Sequence, residues 1–147
     1  MKKSFFRMTG LLALAFVAAA QMARAQEPLL VNVPFAFTAG EKTLPAGEYR
    51  VEKAAQGSLA LLIQRTDGRE SMFVPANAAE AHPPKTQSKL VFHRYGDQYF
   101  LSEIWVAGYS QGRQLRESAK EKEQAVAARN ATRDRVTIVA RLLSPKP

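Results

Sequence analysis

Val31–Val51 reads V-N-V-P-F-A-F-T-A-G-E-K-T-L-P-A-G-E-Y-R-V, and its spacing decides the fold. Val31, Val33, Phe35 and Phe37 fall on alternate positions, and Tyr49 and Val51 repeat the pattern further on. Successive side chains of an extended strand point to opposite faces, so a period of two gathers these residues on one face that must be buried. Gly40 marks a bend between the two runs. Leu44-Pro45-Ala46-Gly47 has the form of a type I turn, with Pro fixing φ at the second position and Gly at the fourth. The stretch predicts two strands folding back on each other. Pro34 has no N–H to give a ladder, which places the first strand at a sheet edge or a bulge.

The same signals continue downstream. Gly47–Ala54 predicts the second strand, with Glu48, Arg50 and Glu52 toward water. Leu59–Gln64 is apolar on both faces and predicts a central strand covered on both sides. Thr66-Asp67-Gly68-Arg69 carries an Asp-Gly turn that returns the chain through Glu70–Pro75. Ala76–Ser88 contains His82-Pro83-Pro84-Lys85 and little alternation, and reads as a loop. Lys89–Tyr95 and Gln98–Ala107 predict two further strands joined at Gly96-Asp97. The fold class that follows is mainly all-β: an antiparallel β-sandwich or small open barrel of six to eight strands, plus one C-terminal α-helix. The helix is expected within Gln114–Asn130, which is rich in Ala, Glu, Lys, Gln and Arg. Its apolar stripe (Leu115, Ala119, Val126) is thin, so it should sit loosely on the domain. Arg133–Leu143 is β-prone and predicts a last strand or an adhesive tail.

Upstream, Lys2, Lys3 and Arg7 precede the apolar run Leu11–Ala20, and Ala23-Arg24-Ala25 has the small-x-small form of a signal-peptidase site. The run is half the roughly 20 residues a bilayer span requires. Residues 1–25 therefore read as a signal peptide, residues 26–112 as a β-sandwich-like domain, 113–131 as a basic helix and 132–147 as a C-terminal strand or tail. The expected location is periplasmic or secreted, with no transmembrane segment after cleavage. The chain has no cysteine, which excludes disulfides and a lipid anchor on Cys. The formal charge of +8 is uneven: residues 26–112 hold eight Lys/Arg against nine Asp/Glu, and residues 113–147 hold nine against four. A neutral body with a basic tail gives no argument for nucleic acid.

Taken together, Val31-Asn32-Val33-Pro34-Phe35-Ala36-Phe37, Leu44–Val51 and Tyr99–Trp105 resemble an uncharacterised family of short exported acidobacterial-type proteins. Their mature parts begin V-x-V-P-F-x-F and continue through L-P-A-G-x-Y-x-V to a Y-F-L-S-x-I-W-like strand. The resemblance spans about Val31 to Glu123. It implies export and a β-rich domain and brings no activity and no site residues.

Two surfaces stand out as candidates. Tyr99, Leu101, Glu103 and Trp105 alternate along one strand, and an aromatic face with one carboxylate suits a sugar or a peptide. Arg113, Arg116, Lys120 and Lys122 form a basic set for an anionic envelope component, with no interleaved aromatic for stacking on bases. Another exported protein is the other partner class. Gly108-Tyr109-Ser110-Gln111-Gly112 matches the G-x-S-x-G elbow of serine esterases. Both histidines, His82 and His93, precede Ser110, whereas the elbow needs a downstream His as base. Eleven residues apart and without a Cys, they make no metal-ligand spacing either, and no cofactor is expected. The sequence therefore supports an exported, non-enzymatic β-domain acting as a binding or structural module of the cell envelope. A small esterase using Ser110 and a carrier of a small apolar ligand are the alternatives.

Overall fold

A computed structural model describes residues 28–128 and 133–143, so the signal-peptide reading of residues 1–25 lies outside the described residues. The strand pair read from Val31–Val51 is present as β1 (Leu29–Val33) and β4 (Gly47–Lys53). They run antiparallel, with Val31 opposite Tyr49 and Leu29 opposite Val51, so the two apolar sets lie side by side on one face. Pro34 lies just past the end of β1, where β4 flanks the strand on one side and β12, which reaches only Leu29 and Leu30, leaves the other side open. Beyond it the chain changes sheet. β2 (Phe37–Ala39) pairs with β3 (Lys42–Leu44), and its Thr38 pairs in parallel with Phe100 of the second sheet.

The chain continues through β5 (Leu61–Arg65), β6 (Ser71–Val74), β7 (Ala76–Glu80), β8 (Lys89–Tyr95), β9 (Gln98–Trp105) and β10 (Gln111–Leu115). Helix α1 (Ala119–Ala127) and strands β11 (Asp134–Val139) and β12 (Arg141–Leu142) complete it. One sheet has the order β12-β1-β4-β5-β6; the other has the path β11-β8-β9-β10-β7, with β2 and β3 attached at β9. Among the described residues this is the all-β sandwich with one C-terminal helix that the spacing predicts, built from twelve short strands rather than six to eight. Two of the extra strands, β2 and β12, arise where a continuous run is cut at a corner, whereas β3, β7 and β10 form in stretches read as turn, loop or helix. Pro34, Pro75 and Ala140 each stand where the chain passes from one sheet to the other, and a strand that switches sheets is counted twice.

Phe37, Tyr49, Leu44, Ile63, Leu90 and Phe92 are fully buried between the sheets. Phe37 meets Tyr49 edge-to-face at 5.3 Å and Phe92 at 5.4 Å, joining the two layers. Leu59–Gln64 is covered on one face only. Leu61 and Ile63 are buried, whereas Leu62 is half-exposed because it points, with its exposed cross-strand neighbour Phe73, to the outer face of the first sheet. Part of the predicted loop Ala76–Ser88 is strand β7, paired with β10 along its whole length.

The domain does not end at Gly112. That residue lies inside β10, and the segment after α1 belongs to both sheets. β11 forms the edge beside β8, and β12 adds to β1, with Leu29 opposite Leu142. The Ala140 N–H donates to the Ser88 carbonyl at 2.8 Å where the chain crosses between layers. Residues 134–142 thus staple the sandwich. No helix among the described residues is long and apolar enough to cross a membrane.

Candidate functional site

The predicted face of Tyr99, Leu101, Glu103 and Trp105 does not exist as one surface. In β9, Leu101 pairs with Phe92 and Glu103 pairs with Val91, leaving Ser102 as an unpaired extra residue. A one-residue bulge inverts the alternation beyond it. Leu101 joins the core and Tyr99 packs against it, its ring stacked on Phe35 at 3.8 Å. Glu103 and Trp105 are turned to the opposite, outer face of the second sheet.

On that outer face Trp105 lies flat over Gly112. A Cβ at residue 112 would stand 2.5 Å from the Trp105 ring and 2.8 Å from the Ile104 carbonyl oxygen, so only glycine admits this contact. The indole Nε1 donates to Glu103 Oε2 at 2.8 Å. Arg135 on β11 donates through Nη2 to both Glu103 oxygens, at 2.8 and 2.9 Å. The Lys85 ammonium sits 5.2 Å from the centre of the Trp105 ring, leaving that ring only 5% exposed. Glu103 and Arg135 line both of two adjoining hollows, and Trp105 lines the larger one. The larger, of about 620 Å³, is walled by Glu80 at the end of β7 and by His82 and Lys85 from the loop after it. The smaller, of about 250 Å³, runs under α1 toward His93.

The His93 corner is the least expected part of the molecule. Ser118 caps α1, its hydroxyl accepting from the Glu121 N–H at 3.1 Å, and Ser118-Ala119-Lys120-Glu121 has the S-x-x-E form of a capping box. The Glu121 side chain does not close that box. It points into the sheet, where Oε1 lies 2.7 Å from His93 Nδ1 and accepts from the Tyr95 hydroxyl at 3.2 Å. Glu121 is 3% exposed and is the one buried charged residue among the described residues. The expected apolar stripe of the helix is not used: Val126 is 60% exposed. A polar anchor, not an apolar face, holds α1 to the sheet. Glu117, four residues before Glu121, stands at the mouth of the smaller hollow and accepts from Arg133 at 3.2 Å. The i, i+4 spacing of the two glutamates and the capping-box pattern were the sequence signals for this corner; their partner on β8 was not visible locally.

Burial pushes the Tyr49 and Tyr95 hydroxyls above the ordinary tyrosine value of 10.0. The folded chain thus keeps protons that the unfolded chain has already released. Stability from these groups is complete below pH 10 and is lost as pH rises through the folded values. Urea midpoints measured from about pH 8 to about pH 11.5 should fall only above about pH 10. Tyr49→Phe with Tyr95→Phe should remove most of that slope, and an unchanged slope would assign alkaline unfolding to other groups.

The remaining candidates separate. Arg116, Lys120 and Lys122 are exposed around the start of α1, as a basic surface requires. Arg113 does not join them. It lies on β10 rather than on the helix, half-buried, with Nη1 donating to the Gly112 carbonyl and Nε buried without a partner. Ser110 stands in the connection between β9 and β10, and its carbonyl accepts from the Ala81 N–H at 2.8 Å. A β-strand, not a helix, follows the G-x-S-x-G pattern, so the local geometry is a hairpin turn and not the strand–turn–helix of a nucleophile elbow. Comparison with known proteins gives no relative for this arrangement: no family model, curated protein or solved structure matches the chain.

Proposed function

We propose that this chain works outside the cytoplasm as a non-enzymatic binding module of the cell envelope. Its ligand seat is the outer face of the second sheet, and its ligand is a hydroxyl- and amide-rich envelope polymer. The observation that carries this reading is the Glu103–Trp105–Arg135 floor. One Arg135 nitrogen shared between both Glu103 oxygens and the indole hydrogen bond orient the Glu103 carboxylate before any ligand arrives. Such preorganisation lowers the ordering cost of binding. The groove carries both signs of charge, Lys85 and Arg135 with Glu80 and Glu103, which suits a ligand with both donors and acceptors better than a purely anionic one. The leader-like residues 1–25 support the location.

Co-sedimentation with isolated envelope fractions at low and high salt tests the reading. The comparison uses Glu103→Gln with Arg135→Ala against Arg116→Ser with Lys120→Ser and Lys122→Ser. Gln at 103 keeps an acceptor for the Trp105 N–H. The groove variant should lose about tenfold in affinity, the scale of removing a central interface contact. The charge variant should retain binding that is indifferent to salt. Salt-sensitive binding lost only in the charge variant would move the function to the basic start of α1.

A further inference from the structure

We propose that His93, Glu117 and Glu121 form a binding site for a divalent transition metal ion of the zinc type. The inference goes beyond the envelope-binding reading and stands whether or not the groove takes a polymer. One donor atom from each of the three residues lies within 4.8 Å of the other two. An imidazole nitrogen with two carboxylates is a donor set that zinc-type ions accept at about 2.0–2.2 Å, with remaining positions left to water. A tetrahedral site at those lengths needs donors about 3.3 Å apart, so the 2.7 Å His93–Glu121 pair must open slightly while Glu117 moves in toward it. Glu117, exposed at the hollow mouth, has the rotamer freedom to do so.

The burial of Glu121 is the second argument. A charged side chain enclosed under a nine-residue helix is costly, and a helix this polar gains little apolar burial in return. Places where a fold departs from its own local rules tend to be functional sites. Glu121 is already oriented, since the Tyr95 hydroxyl holds Oε1 from the side, the kind of outer hydrogen bond that positions metal-binding carboxylates. The imidazole is oriented too: Nδ1 faces the same oxygen at 2.7 Å. A dication entering between them needs the lone pair of Nδ1, so the ring hydrogen that faces Glu121 moves to the other ring nitrogen. The remaining charges around the cluster are Arg133, Asp134, Arg135 and Glu103. Of these, Arg133 opposes the ion, because its guanidinium holds Glu117 Oε1.

That competition gives the proposal its test. Titration calorimetry of the full chain without a histidine tag, using Zn²⁺, should give one site per chain. Co²⁺ bound at the same site should add visible d–d absorption. Glu117→Gln removes an exposed ligand and leaves the fold intact; it should weaken Zn²⁺ binding at least tenfold, since even outer-shell losses cost 10- to 100-fold. His93→Gln should abolish the Co²⁺ absorption. Arg133→Ala should tighten binding, the opposite of what damage to the fold would cause. His82→Gln should change nothing. Absence of Zn²⁺ binding would overturn the site. So would an affinity that Glu117→Gln leaves untouched or that Arg133→Ala lowers.

Discussion

Replacing Phe37 by alanine should lower the unfolding free energy by about 3–5 kcal/mol, the range for emptying a buried phenylalanine site. The effect is expected near the top of that range because the site cannot collapse from one side. Phe37 belongs to β2 of the second sheet, yet its ring is held edge-to-face by Tyr49 of the first sheet and by Phe92 of β8. All three rings are buried, so truncation leaves a cavity lined by both layers. Domains of this size have about 5–15 kcal/mol in total, and the variant should show a much lower urea midpoint with an unchanged slope. Phe37→Leu should cost distinctly less, since it keeps most of the volume. A loss under about 1 kcal/mol for Phe37→Ala would mean that this junction does not join the sheets.

Ending the chain at Ala128 should abolish cooperative folding altogether. The deletion removes β11 from the edge of the second sheet and β12 from the edge of the first. With them go Val136, Ile138, Ala140 and Leu142, which are buried or packed against the core. The hydrogen bonds from Ala140 to Ser88 and from Leu143 to Pro28, which close the sandwich at that end, go as well. β8 and β1 would then present unpaired edges backed by an uncovered core, a state prone to association. The truncated chain should lose near-ultraviolet circular dichroism and amide chemical-shift dispersion. A native-like spectrum would reduce the last segment to an accessory tail. The expected result also means that shortening the chain cannot separate a basic tail from a binding sheet; point substitutions must do so.

The candidate site was half legible. Glu103 and Trp105 are rightly placed together by their i, i+2 spacing, and the exposure of Arg116, Lys120 and Lys122 follows from their polar surroundings. Tyr99 and Leu101 were lost from that face by a single unpaired residue, Ser102, whose bulge depends on how β8 and β9 register. Arg113 falls at the start of the basic helix read from the Ala-, Glu-, Lys-, Gln- and Arg-rich composition; two neighbouring strands, β7 and β9, hold Gln111–Leu115 extended instead. His93, Glu117 and Glu121 were each visible and their association was not, since 24 residues and a change of direction separate His93 from Glu117.

By itself the sequence determined what short-range periodicity can determine. Alternation in Val31–Val51, Lys89–Tyr95 and Gln98–Tyr99-Phe100-Leu101 specified strands, their buried faces and an all-β class, because side-chain parity is a property of the local backbone. Tertiary structure alone decided the rest. It made strands of Ala76–Glu80 and Gln111–Leu115, drew β11 and β12 into different sheets, and set Glu121 against His93. In each case the deciding energy is a hydrogen bond or a packed contact to a residue far along the chain. No window of local sequence contains both partners of such a contact.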